Sequence, residues 1–360
     1  MKRVFTEKKN CSGCTACKNI CPFNAIEMEK DNEGFFYPKI NQNKCKDCGL
    51  CTELCAFKRK SINFDKQPIK VLGAKLKDLN ERKTSRSGGI FMALSDIILS
   101  GHGIVYGCVL GENLEVFHTG VDNIKDAKMF KGSKYVKSNL RDVYSRVKND
   151  LINGRKVLFS GTSCEVAGLL ATLNNVDKTN LYTIDLICHG VPSPLIYKEF
   201  INFMEKKENS KVLFIDFRDK SYGWSSHKET LIFKDKKITT NYYTELFYTH
   251  YILRPSCFNC KFSNHDRISD ITIGDFWGIQ EEDEKFYDEN GVSLALINTE
   301  KGKQLFEKIV DNIDYIYVKG KSYMQHNLKE PSIEPENREE FWREYKEEGF
   351  EFIMNKYANY

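Results

Sequence analysis

The chain has 360 residues, 41% of them hydrophobic and 29% charged, and its 54 lysines and arginines against 50 acids leave a formal net charge of +4. That length allows two domains or one large domain with a small appendage, and that composition excludes long-range disorder. The near-balance of charge, with no concentrated basic face, excludes a nucleic-acid partner. The most apolar run, residues 90–110, is interrupted by Ser95, Asp96, Ser100 and His102, which excludes a membrane span.

The first ten residues are charged and lack an apolar core, so no signal peptide and a cytoplasmic location are expected. Thirteen cysteines in such a chain point to metal, because a disulfide scaffold is smaller and exported. Eight of them lie before Lys60. Cys11, Cys14, Cys17 and Cys21 follow the spacing C-x2-C-x2-C-x3-C, ending at Pro22, and Cys45, Cys48, Cys51 and Cys55 repeat it, with Ala56 in the place of the proline. Three thiolates two residues apart wrap one corner of a 4Fe–4S cubane, and in two-cluster ferredoxins the fourth cysteine of each run ligates the other cluster. The spacing therefore assigns Cys11, Cys14, Cys17 and Cys55 to one cluster, and Cys45, Cys48, Cys51 and Cys21 to the second. Structural zinc needs four ligands per site and has no use for this doubled pattern. Between the two runs, alternating apolar residues flank Asn32-Glu-Gly and predict a short hairpin.

A polar, lysine-rich stretch over residues 61–85 reads as a linker. Beyond it, helical spacing alternates with β-branched runs: a helix and strand within 90–110, then strands at Lys156-Val-Leu-Phe, Tyr182 to Ile187, Val212 to Ile215, Ile271-Thr-Ile and Ser293 to Ile297. Helices are predicted at Asn139 to Asp150, Pro194 to Lys207 and Trp342 to Tyr357. The fold class that results is α+β: a small N-terminal bacterial-ferredoxin-like domain at residues 1–60 and a larger mixed α/β domain at 86–360.

Five cysteines remain. Cys108, inside an apolar strand, reads as a small core residue. Cys164 and Cys188 each follow a predicted strand, where α/β sheets gather ligands, and Cys257 and Cys260 form a C-x2-C pair. Together they make a four-thiolate set for a third 4Fe–4S cluster; a zinc site and unrelated buried thiols satisfy the same spacing. Iron–sulfur clusters move single electrons and need a partner, for which a flavin is the candidate. Ser85-Arg-Ser-Gly-Gly-Ile-Phe opens a helix with residues small enough for amides to approach a phosphate, and Lys131-Gly-Ser-Lys-Tyr and Gly161-Thr-Ser offer further loops. His189 reads equally as a donor to a flavin or cluster sulfur and as a core histidine. Asp275, Trp277 and Arg218-Asp-Lys are candidates to line a substrate pocket, with a surface or core role favoured for each.

From about Ser85 onward the chain resembles the coenzyme F-420 hydrogenase/dehydrogenase beta-subunit family. The resemblance rests on Ser87-Gly-Gly, Lys131-Gly-Ser-Lys-Tyr, Gly161-Thr-Ser-Cys, Asp185-Leu-Ile-Cys-His-Gly-Val-Pro-Ser-Pro, Cys257-Phe-Asn-Cys, Ser269-Asp-Ile-Thr-Ile-Gly-Asp-Phe-Trp-Gly and Gly291-Val-Ser-Leu-Ala-Leu-Ile-Asn-Thr. It implies an FAD- and iron–sulfur-dependent oxidoreductase, in which Cys164, Cys188, Cys257 and Cys260 hold a cluster near the flavin. It also implies that Ser87, Gly88, Gly89, Gly132, Ser133, Lys134 and Tyr135 lie around the FAD. The activity implied is electron exchange between a small-molecule hydride carrier, coenzyme F-420 or similar, and ferredoxin-type clusters, with a ferredoxin or a catalytic subunit as redox partner. A ferredoxin-dependent reductase of an organic substrate and a non-catalytic electron-transfer subunit are the alternatives. No catalytic residue is assigned.

Overall fold

The computed structural model describes residues 4–58 and 67–358. In the N-terminal unit, β1 (Ile26–Lys30) pairs antiparallel with β2 (Phe36–Ile40), in the register Ile26 to Ile40 and Lys30 to Phe36. The turn between them is tied by Asp31, whose carboxylate accepts the backbone N–H groups of Glu33 at 3.1 Å and Phe35 at 2.9 Å. Short helices at Ala16–Ile20 and Leu50–Glu53 carry the third cysteine of each run, Cys17 and Cys51.

The larger unit contributes β3 (Lys70–Leu76), β4 (Ile104–Leu110), β5 (Val116–Val121), β6 (Val157–Thr162), β7 (Leu181–Leu186), β8 (Val212–Asp216), β9 (Glu229–Phe233), β10 (Lys237–Thr240), β11 (Ile271–Asp275), β12 (Ser293–Ile297) and β13 (Ile313–Tyr317). Eight of these form one sheet in the order β13-β3-β12-β11-β7-β6-β4-β5, with β4, β6, β7 and β11 parallel and antiparallel strands at both margins. The central strands are apolar on both faces because helices cover both. Leu158, Ile184 and Ile271 pack with the helix Ile90–Ser100, while Val157, Phe159 and Leu181 face the helices Val143–Ile152 and Ser163–Thr172. Each such side chain contributes about 1.5–3 kcal/mol on burial. A separate sheet, β10-β9-β8, packs with the helices Pro194–Glu208, Tyr242–Tyr248 and Phe350–Tyr357.

Two expectations differ from the structure. The stretch expected to be a linker enters the large sheet: β3 pairs with both β12 and β13, and Leu79–Thr84 is helical. Its apolar residues Leu72, Ala74 and Leu76 are core, and their alternation is masked by Gly73 and Lys75 between them and the lysines around them. Residues 61–66 of that stretch lie outside the described residues. The C-terminal helix is two helices, Arg338–Glu348 and Phe350–Tyr357, broken at Gly349, whose φ of +85° turns the chain.

The N-terminal unit packs closely on the larger one. A Cβ at Gly34 would meet Leu195 at 2.5 Å, and one at Gly168 would meet Cys14 Cβ at 2.9 Å. Glu33 in the hairpin turn forms a buried bidentate pair with Arg338, one arm at 3.0 Å, and Arg338 also donates to the Leu253 carbonyl at 2.9 Å.

Candidate redox site

Parallel register explains how two isolated cysteines meet. Thr162 at the end of β6 pairs with Leu186 at the end of β7, so Cys164 and Cys188, each two residues further on, emerge side by side at the carboxyl edge of the sheet. Cys164 opens the helix Ser163–Thr172, whose capping box joins Thr162 and Glu165. The Cys257-x2-Cys260 loop closes over them, held by the Cys257 N–H to the Arg254 carbonyl at 2.8 Å. All four cysteines line one cavity of about 30 Å³. Their sulfurs accept local donors: Val191 N–H lies 3.4 Å from Cys257 Sγ, and Thr162 Oγ1 lies 3.2 Å from Cys164 Sγ. Burial of the sulfur pushes the Cys257 thiol up to about 12 and raises Cys164 and Cys188 as well, and the neighbouring cysteines add to the rise. Such thiols become thiolates only beside a positive centre, which iron supplies. Among the described residues, no three of the His, Cys, Asp and Glu side chains close on a single metal ion. A cubane spreads its four ligands over separate iron corners, whereas zinc gathers four on one ion.

The ferredoxin cysteines divide by depth. Cys55 acts electrostatically on each of Cys11, Cys14 and Cys17, so the structure brings together the four assigned to one cluster. Burial lifts Cys14 to about 12, and Cys14 also senses Cys164, which places this set against the Cys164 cavity. Ser12 and Phe57 of the N-terminal unit line that same cavity. The other run faces outward: residues 41–44 and 46–49 are exposed, Cys48 among them, and Cys45, Cys51 and Cys21 are half-buried.

On the far side of the Cys164 cavity lies a cleft of about 370 Å³, and Thr162, Cys188, His189 and Asn327 line both. Ser87, Gly89, Gly132, Ser133, Lys134 and Tyr135 all border the cleft, so two loops more than forty residues apart in sequence converge there. Their roles differ. The Ser87 hydroxyl donates to the Val292 carbonyl at 2.7 Å, which fixes the loop. Gly88 does not line the cleft; its Cα is pressed on the sheet, where a Cβ would meet the Ala74 carbonyl oxygen at 2.2 Å. Lys134 Nζ donates to the carbonyls of Met129, Phe130 and Lys131, and burial brings it down to about 8. Gly132, at φ +80°, has open space where a Cβ would stand. Tyr135 stacks on Phe247 with ring centroids 4.8 Å apart.

Arg218, Asp275 and Trp277, weighed between a pocket and a surface or core role, line the cleft, with Arg218 buried and Trp277 part-exposed. Arg218 pairs with Asp275 at 2.5 Å and lies 5.2 Å from the Trp277 ring. Beside them Arg86, which the spacing did not single out, donates to the Arg218 carbonyl, while its Nε and second Nη are buried with no partner among the described residues. An unpaired guanidinium in a cleft wall fits an anionic group such as a phosphate. His189 reaches His250 at 2.7 Å between ring nitrogens, and burial together with His250 brings it down to about 4, so it is neutral near pH 7. Cys108 borders the cleft as well as the core.

Residues 10–58 match the family described as 4Fe-4S dicluster domain, and residues 154–321 match the family described as the carboxyl terminus of the coenzyme F-420 hydrogenase/dehydrogenase beta subunit. The chain is similar, at 42% identity over 45 residues, to the B component of the Na(+)-translocating ferredoxin:NAD(+) oxidoreductase complex of Acetobacterium woodii. The match covers 12% of this chain and 12% of that relative. An uncharacterized ferredoxin of Methanocaldococcus jannaschii is 28% identical over 80 residues, 22% of this chain and 94% of that protein. In fold, the chain resembles a chain of the F-420-reducing NiFe hydrogenase complex from Methanosarcina barkeri, with a TM-score of 0.50 at 19% identity over 71% of this chain and 84% of that one. The protein is thus an iron–sulfur protein built on a dicluster ferredoxin domain. Within its larger domain, residues 154–321 are similar to the carboxyl-terminal part of the coenzyme F-420 hydrogenase/dehydrogenase beta subunit.

Proposed function

We propose that this chain is an FAD- and iron–sulfur-dependent oxidoreductase that exchanges electrons with a small-molecule hydride carrier, coenzyme F-420 or similar, and delivers them singly to a protein partner. The observation that carries the reading is the order of sites: the cleft shares the wall of Cys188 with the Cys164 cavity, and that cavity shares Ser12 and Phe57 with the first ferredoxin set. The second ferredoxin set then reaches the surface at the exposed loop around Cys48. This is the sequence of stations that a two-electron centre, three cubanes and an external acceptor require.

FAD in the cleft supplies conversion between two-electron and one-electron chemistry. The chain's own residues do the rest. Gly89, Gly132 and Ser133 leave room for close backbone approach, and Arg86 offers Nε and Nη2, neither with a partner among the described residues, to an anionic group. Trp277 and Tyr248, both near two-fifths exposed, stand at the mouth as flat surfaces for a ring. Cys164, Cys188, Cys257 and Cys260 would hold the middle cubane. A ferredoxin or a catalytic partner would dock over residues 41–49, where Lys44 and Lys46 flank Cys45.

The test is iron, acid-labile sulfide and released flavin on anaerobically purified protein. About twelve irons and one FAD per chain are expected, four irons for each cubane. About eight irons without flavin refutes the reading for the larger domain.

A further inference from the structure

Arg254 is a buried cation without an anion. Its residue is 1% exposed, and no carboxylate pairs with it among the described residues. Nε donates to the Cys11 carbonyl at 2.8 Å and Nη2 to the Phe36 carbonyl at 3.0 Å, with Cys11 Sγ 3.8 Å from Nη2. The guanidinium carbon sits 4.1 Å from the centre of the Tyr37 ring, and Gly13 makes the room: a Cβ there would meet that carbon at 2.9 Å. Nη1 is buried with no hydrogen-bond partner among the described residues, in a side chain that lines the cavity of Cys164, Cys188, Cys257 and Cys260. A charge taken out of water costs several kcal/mol and persists where something nearby compensates it. Neutral carbonyls and rings do so only partly, and two sets of cluster cysteines flank the side chain.

We infer that Arg254 is a positioning residue, the counter-cation shared by the cluster on Cys11, Cys14, Cys17 and Cys55 and the cluster on Cys164, Cys188, Cys257 and Cys260. The inference rests on the three-cluster reading above. A cubane held by four thiolates is anionic and gains one further negative charge when reduced, so a fixed cation beside it favours the reduced form and raises its potential. A single cation between two such clusters raises both, which keeps the electron's passage between them near level. The cluster on Cys21, Cys45, Cys48 and Cys51 lies on the exposed side and serves as an internal reference.

The experiment is an anaerobic redox titration of the full chain followed by electron paramagnetic resonance, on the native protein, R254Q and R254K, with iron counted in each. In R254Q the two flanking clusters are expected to move to more negative potentials while the reference cluster stays. R254K, which keeps the charge, is expected to stay near the native values. Unchanged potentials in iron-replete R254Q overturn the inference, as does an equal shift of all three clusters. If R254Q loses iron, R254K decides: near-native potentials sustain the shared cation, and a fall in both flanking clusters overturns it. Iron loss in both variants makes Arg254 a folding residue and overturns it too. About eight irons in the native protein instead removes the three-cluster reading itself, before any variant is compared.

Discussion

Replacing Arg338 with methionine takes away the cation that clamps the ferredoxin hairpin to the larger domain. Glu33 is 9% exposed and Arg338 7%, and the methionine leaves the Glu33 carboxylate buried with no cationic partner. Breaking one side of a buried pair costs 3–5 kcal/mol; each side chain here keeps about a tenth of its surface open, so the lower end applies, about 3 kcal/mol. That is roughly a hundredfold in the equilibrium between docked and undocked ferredoxin domain. Denaturant titration followed in parallel by visible iron–sulfur absorbance and by tryptophan fluorescence separates the two domains. The share of the absorbance that belongs to the two ferredoxin clusters is expected to be lost at lower denaturant than in the native protein, with the remaining absorbance and the tryptophan transition less affected. The double variant E33Q/R338M is expected to regain most of the loss, because no charge is then left buried. A single variant within about 0.5 kcal/mol of the native protein refutes the clamp, since that is the range of ordinary surface changes.

Cys164→Ser is expected to lower iron from about twelve to about eight per chain and to leave the two ferredoxin clusters visible by electron paramagnetic resonance; loss of all iron would show instead that the sites are not separate. Gly88→Ala and Gly132→Ala divide packing from conformation. The first drives a Cβ into the Ala74 carbonyl and is expected to yield little folded protein, whereas the second meets open space and costs about 1 kcal/mol for its positive φ, read as a small shift in melting temperature. Arg86→Gln removes a cation with two nitrogens unpartnered among the described residues and is expected to reduce co-purifying flavin without changing iron; full flavin retention would argue against an anion contact there.

Ligands that lie within one short stretch were legible without a fold. Cys11, Cys14 and Cys17 are brought to one site by the two residues between them, and the strand cores were legible because β6, β7, β11 and β12 each carry a short apolar or β-branched run. β3 was not, since its core residues sit among Lys70 and Lys75 in a lysine-rich context and only pairing with β12 and β13 reveals them. Nor was the break at Gly349, because the apolar spacing runs through it and only the backbone angle divides the two helices.

The sequence by itself marked the candidates for chemistry: eight cysteines in a doubled ferredoxin spacing, four more at strand ends and in one pair, and two small-residue loops. Tertiary structure alone decided what those residues are next to. Sheet register put Cys164 beside Cys188, and domain packing put Arg254 between two cysteine sets and Arg338 against Glu33. A side chain's chemistry is a local property of its residue, but burial, charge pairing and shared cavities depend on contacts across hundreds of positions, and no local pattern encodes them.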